Sequence, residues 1–598
     1  MKKILLSITF ALMGITSGFA AKAYPGIVTV TQSDGTELNV RIYGDEHFNW
    51  LTTEDGVLLV QEGNNYYIAE TTSYGTLKAT NYIAHNANKR LPAEIKAIKK
   101  QDLSRFRSYA IQKASPAKAM GTGNSGVKYF PHSGSPKALV ILVEFSDTPF
   151  QSGEKAKNVF EHFLKGKAED NLPDGYEAYT GSYKNKNNLR NKGSVSDYFY
   201  DMSKGTYTPQ FDVVGPYKLN QPSLYYGKGE NDNTYALVSD ACKAADKDVD
   251  FSRYDADGDG MVDLVYIIYA GYPASMSGNP NDIWPKSGPG NDSFGTYDGK
   301  KVCRFGVHAE LNFGRELNQK NGFLLSGIGL FCHEFSHTLG LPDLYPTVDA
   351  SKVDNQNPEM WDLMDGGEYT YNGGYCPTPY SPWEMDAMGW AKPIELSDEK
   401  QTVTLKSYGK ERIAYKIKGE NKEYLLLQNI QIGGWWTGVA YVYKTGMLVW
   451  RIDYNNEDVN LFDNPNNTLG KPKVMIVPAD GYVISDYNHG DGKQWTDDQY
   501  KESLQGDPFP GKTNRTELKS VVLNNSTLEK PIYNIKEENG VITFDYLDNI
   551  SAIQLPSVDE TDMTTKQIFS LDGRYLGNDA SKLTKGIYII GKKKVVIK

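Results

Sequence analysis

His333, Glu334 and His337, in the segment GIGLFCHEFSHTLGLPDLY, are the residues whose types and spacing can do metal chemistry. On a helix, positions i and i+4 share a face, so each imidazole can place one ring nitrogen on a single zinc ion. Glu334 lies beside that face, where a carboxylate can take a proton from metal-bound water. Asp343 stands where a third ligand would sit in H-E-x-x-H-x-x-G-x-x-D. A carboxylate oxygen is an acceptable partner for two imidazoles, and the fourth position stays open for water. The chain has eight histidines in 598 residues, so this spacing rarely arises by chance. The competing reading is an ordinary helix carrying two core or surface histidines.

The elements that must position these groups are also marked. Ile328, Phe331, Cys332, Phe335 and Leu339 fall on one stripe, roughly opposite the histidines. One face of the helix can therefore pack into a core while the other lines a cleft. Gly340 supplies the positive φ that stops a helix, and Pro342 prevents its resumption, so the chain turns back and brings Asp343 towards the metal. Cys332 lies on the packed stripe, which suits a small buried side chain or a disulfide partner better than a nucleophile. The run ALVILVEF (138–145) reads as a buried central strand, and SVSDYFYDMSKG (194–205), with a serine to cap it and a glycine to stop it, reads as a helix.

A second metal loop is written in DADGDGMVD. Asp255, Asp257, Asp259 and Asp263 occupy the oxygen-donor positions of a calcium loop, with a glycine at the sharp turn and the Met261 carbonyl as a further donor. Tyr266 stands where an EF-hand carries its bidentate glutamate, and a strand-like run follows. The segment is thus a calcium-loop fragment with an expected structural role, or else an Asp/Gly-rich turn feeding a strand.

With 64 basic and 74 acidic residues, the net charge is −10, and no basic stripe suits a phosphate backbone. No nucleic acid is expected as a partner. The start, MKKILLSITFALMGITSGFAAKAYPG, has the lysines, short apolar run and small residues of a secretory signal peptide, assigned to residues 1–23. Four cysteines (Cys242, Cys303, Cys332 and Cys376) would allow two disulfides. Short alternating runs and glycine turns up to about Lys100, then a basic helix-prone stretch (90–113) and the linker SPAKAMGTGNSG, make 24–125 a β-rich unit with a plausible processing site. Alternation returns after 395, giving a β-sandwich-like domain at 396–548. The last segment, 549–598, is β-like and basic.

HEFSHTLGLPDLY followed by MWDLMDGGEY resembles the immune inhibitor A family of secreted metallopeptidases, which are metzincin-like. KALVILVEFSD, SVSDYFYDMSKGTYTPQFDVVGPY, DADGDGMVDLVYIIYAGY and SPWEMDAMGW extend the resemblance over about Lys137 to Trp390. It implies a multidomain chain: an α+β zincin or metzincin-like catalytic domain at 126–395, a β-rich propeptide before it and all-β domains after it. It further implies that Met364 forms the hydrophobic floor beneath the metal, that the substrates are proteins or peptides, and that the propeptide blocks the cleft until removed. Asp349, Asp365 and Glu368 compete with Asp343 as third ligand. His308 could also ligate, against an ordinary role at the surface or upper rim. Asp45, Glu46 or His47 could cap the metal. IFSLDGRYLGNDASKLTKGIYIIGKKKVVIK is similar to the sorting domain of the type IX secretion system, through its Asp572-Gly573-Arg574 turn, Gly586-Ile587-Tyr588 and basic last strand. The bland alternative is the last strand pair of a β-domain. The expectation is a secreted or cell-surface zinc endopeptidase of a Gram-negative bacterium, monomeric, delivered by that secretion machinery. Its rival is an inactive metalloprotease-like binding protein or adhesin.

Overall fold

The apolar run at 138–145 can face water on neither side, and the chain buries it inside a mixed six-stranded sheet. The computed structural model describes residues 19–45, 48–114, 128–167, 170–181, 190–227, 233–347, 357–439, 444–454, 464–484, 496–549, 567–590 and 593–597. In the sheet, strand Lys137–Glu144 lies between Val265–Tyr269 and Gln210–Lys218, parallel to both. Arg304–Ala309 follows in parallel on the far side of Val265–Tyr269, and Lys286–Pro289 closes that side antiparallel to it. Beyond this strand, Phe19–Ala20 adds antiparallel.

Alternation along the central strand divides two cores. Ala138, Val140 and Leu142 face the helices Ala156–Lys165, Val195–Met202 and Ile328–Leu339. Leu139, Ile141 and Val143 face helix Thr234–Ala245. A sheet covered on both faces explains why its strands read as continuous apolar runs. Ser194 caps its helix as expected, accepting from Asp197 N–H while the Asp197 carboxylate reaches back to the Ser194 N–H.

The N-terminal unit is a six-stranded antiparallel meander from Val28 to Ile83, followed by helices Pro92–Ile98 and Leu103–Ala114. Its apolar face, including Val30, Val40 and Leu59, packs on Ala274 and Trp284 of the central domain. The expected linker at 115–126 lies outside the described residues.

After the central domain, a five-stranded sheet and a three-stranded sheet share an apolar core built by Leu427, Val449, Leu405 and Phe544. The other face of the five-stranded sheet, with Leu426, Leu448 and Trp450, joins the core that contains the His333 helix. Residues 568–597 form a four-stranded antiparallel sheet, larger than a strand pair. The chain is thus a multidomain mixed α/β protein. No described helix is long and apolar enough to cross a membrane.

One region is described only in part, and one expectation needs correction. The first 18 residues of the leader expected at 1–23 lie outside the described ones, while Ala21, Lys22 and Ala23 are buried in the folded body. Their backbone is held there, with Ala23 N–H donating to Gly44 O and Tyr24 N–H to Ser275 O. The four cysteines form no disulfides: Cys242 sits in one core, Cys332 and Cys376 in the other, and Cys303 is half-buried, all as free thiols.

Candidate metal centre

Helix Ile328–Leu339 is buried along its whole length. Phe331 stacks on Tyr266, and Phe335 meets Phe199 and Phe211, so the predicted stripe is anchored among aromatic rings. Gly329 allows the backbone carbonyl of Glu368 to approach where any Cβ would collide. Gly340 ends the helix in the left-handed region with φ 110°.

The turn that follows returns Asp343 to the histidines. Asp343 Oδ1 lies 3.3 Å from His333 Nε2 and 3.2 Å from His337 Nε2. The opposite ring nitrogens are held by backbone carbonyls: His333 Nδ1 by Leu363 O at 2.9 Å and His337 Nδ1 by Leu341 O at 2.7 Å. A proton on each Nδ1 donates to its carbonyl, leaving each Nε2 to offer a lone pair toward the common point. His333 Nε2, Asp343 Oδ1 and Glu334 Oε2 are buried with no hydrogen bond among the described residues. The orphaned His333 and Asp343 atoms, and the convergence of His333, His337 and Asp343 with their ligand atoms within 4.8 Å of one another, fit a zinc ion.

The electrostatics follow from burial. Burial pushes the Asp343 carboxyl up, but the two imidazoles outweigh this and hold it at about 2. Burial lowers His333. It would lower His337 too, but Asp343 and Glu334 outweigh it and raise that ring. Glu334 is pushed up to about 8 by burial.

Of the competing ligands, Asp365 is engaged elsewhere, while both carboxylate oxygens of Glu368 are buried without a hydrogen bond among the described residues. Asp365 accepts from Lys22 Nζ at 2.8 Å and from Glu359 N–H at 2.7 Å. Glu368 is buried 3.8 Å from His333 Nδ1, the nitrogen that already serves Leu363 O. Asp349 lies outside the described residues. His308 is neither at the surface nor among the clustered donors. It is fully buried on strand Arg304–Ala309 between the rings of Phe163 and Phe331, and burial takes it down to about 3. Met364 is fully buried, its N–H donating to Asp362 Oδ1 and its carbonyl accepting from Leu344 N–H. The turn holding it thus presents Leu363 O to His333 and ties back to the segment after Asp343.

Sequence reasoning missed what lies across this centre. Ala21 N–H donates to Glu334 Oε1 at 2.6 Å, and Trp284 Nε1 donates to Ala21 O at 2.8 Å. Tyr369 OH donates to Lys22 O, and Lys22 Nζ reaches Asp365 at 2.8 Å and Glu359 at 3.3 Å. The group beside Glu334 is therefore Ala21, whereas Asp45 accepts from Phe48 N–H; Glu46 and His47 lie outside the described residues. The signal in the sequence is the acidic pair Glu359 and Asp365 in PEMWDLMDGG, of which Asp365 alone stands among the competing ligands.

In the second loop, carboxylate oxygens of Asp255, Asp257 and Asp263 lie within 4.8 Å of one another. Lys128 bridges Asp257 and Asp259 at 2.8 and 2.7 Å, and Lys300 pairs with Asp255 at 2.7 Å. Asp259 thus stands outside the convergent trio, and Met261 begins a short strand parallel to the one at Lys301.

Comparison with known proteins places the centre in context. Residues 129–392 match the family described as immune inhibitor A peptidase M6, catalytic domain. Immune inhibitor A of Bacillus thuringiensis subsp. alesti is 26% identical over 320 residues, covering 44% of this chain and 42% of that protein. The pre-pro-metalloprotease PrtV of Vibrio cholerae serotype O1 is 25% identical over 282 residues, covering 41% of this chain and 29% of that one. The matches thus span less than half the length of either relative. They support a metallopeptidase domain around the clustered donors.

Proposed function

We propose, from a peptidase M6-type catalytic domain at residues 129–392, that the chain is a secreted zinc endopeptidase with Glu334 as its general base. The observation that carries this is the pairing of the three-donor cluster with a main-chain amide held on Glu334. His333, His337 and Asp343 would hold zinc, above a floor that includes Met364. Zinc, when bound, supplies Lewis acidity to a peptide carbonyl and to water. Glu334 accepts a proton at Oε2 and returns it to the leaving nitrogen, with Oε1 marking where a substrate amide sits. Trp284 Nε1 and Tyr369 OH orient the main chain by donating to its carbonyls, and Lys286–Pro289 offers an edge for an extended peptide.

The N-terminal unit is read as the latency segment, because its first residues fill the place a substrate would take. The aspartate loop is read as a structural calcium site on Asp255, Asp257 and Asp263, in which Lys128 and Lys300 must give way. The C-terminal sheet is read as the sorting domain for type IX secretion, which accords with its basic last strand.

The reading is tested by chelation. Peptide cleavage should vanish on metal removal and return with zinc; cleavage that persists in the metal-free protein would exclude it.

A further inference from the structure

The segment threaded past Glu334 sits in the register of a substrate. Phe19 pairs with Ser287 and Ala20 with Lys286, as an extended peptide adds to a sheet edge. Glu334 must hand its proton to the leaving nitrogen, so the amide nearest it belongs to the first residue beyond the cut bond. That amide is Ala21 N–H. Lys22 then holds the second position beyond the bond.

The Lys22 side chain enters a closed acidic pocket. Its ammonium lies 2.8 Å from Asp365 Oδ1 and 3.3 Å from Glu359 Oε2, with side-chain exposures of 1% for the lysine, 0% for Asp365 and 3% for Glu359. The carboxylates are pre-oriented by groups of the body. Tyr500 OH donates to Glu359 Oε2, Glu359 N–H to Asp365 Oδ2 and Gly366 N–H to Asp365 Oδ1. Glu359 itself keeps φ at 55°, a conformation costly for a side-chain-bearing residue and retained where packing over-determines it.

Resting on the peptidase reading above, we propose that Glu359 and Asp365 determine specificity, selecting substrates with lysine or arginine at the second residue beyond the scissile bond. Once the N-terminal segment leaves, two carboxylates face each other in a pocket of low polarity. A cationic side chain takes the place of the Lys22 ammonium between them, whereas a neutral one forms no ion pair with either carboxylate and an acidic one is repelled by both. The main chain is held separately by Trp284 and Tyr369, so discrimination falls to the pocket.

The test uses the zinc-loaded protein recovered after secretion with its N-terminal segment released, and one peptide scaffold carrying Lys, Arg, Ala or Glu at that position, with cut sites identified by mass spectrometry. Lys and Arg peptides should show kcat/KM at least ~10-fold above Ala, with Glu the poorest. The Lys/Ala ratio should fall towards one in Glu359→Gln and again in Asp365→Asn. A partly unfolded preparation scales both rates and leaves the ratio unchanged. Cleavage without preference, or a preference that survives both substitutions, overturns the proposal while leaving the peptidase reading intact. Cleavage of no peptide at all overturns both.

Discussion

Ala21 and Glu334, separated by 313 positions, are joined by a hydrogen bond of 2.6 Å. A residue at the edge of the leader thereby rests on the proposed general base of a site built late in the chain. Trp284 and Tyr369 fasten the carbonyls of Ala21 and Lys22, and the lysine side chain is locked by two acids.

Loosening that lock should release latent activity. Lys22→Glu replaces the buried cation with a third carboxylate, and truncating one partner of a buried pair costs about 3–5 kcal/mol. The full-length variant should cleave a quenched peptide at least ~10-fold faster than the parent before any processing. Equal rates would show that the segment does not hold the cleft shut.

Asp343→Ala should empty the metal centre. Loss of a direct ligand ought to weaken zinc by more than the ~10- to 100-fold typical of outer-sphere partners. Metal content after dialysis against a competing chelator measures this, with Asp365→Ala as comparison. Retained zinc in Asp343→Ala would move the third ligand elsewhere.

His308 predicts an acid sensitivity. Burial holds the folded ring near 3, whereas an unfolded histidine titrates near 6.5. Between those values the unfolded chain binds the extra proton, so stability falls as pH drops through that window, by at most about 1.4 kcal/mol per pH unit. His308→Leu should flatten the slope of unfolding free energy between about pH 6 and pH 4. An unchanged slope would mean that the histidine is not buried neutral.

The aspartate loop should respond to calcium. At about 100 times its dissociation constant, an ion bound only to the folded state adds about 2.7 kcal/mol. Calcium should therefore raise the unfolding temperature of the parent and leave that of Asp255→Asn unmoved. A parent indifferent to calcium would leave the loop to Lys128 and Lys300 alone.

What was legible in the sequence was local. The His333 helix, its stop at Gly340 and the return of Asp343 follow from helical spacing and one glycine φ, and the strand at 138–145 follows from an apolar run needing cover on both faces. What was hidden depended on distant partners. The role of Lys22 is not legible locally, because Glu359 and Asp365 lie more than 330 positions away. The aspartate loop fits a ligand template, but nothing in it shows that Lys128, just beyond the expected linker, pairs with both Asp257 and Asp259. His308 carried no sign of its surroundings, since the rings of Phe163 and Phe331 reach it from separate helices.

The central claim, that Glu334 moves the proton in zinc-dependent peptide hydrolysis, is tested most directly by Glu334→Ala assayed for bound zinc and peptide cleavage together. The account predicts zinc retained at the parent level and cleavage reduced by at least ~10²-fold. Cleavage at the parent rate with zinc in place would contradict it.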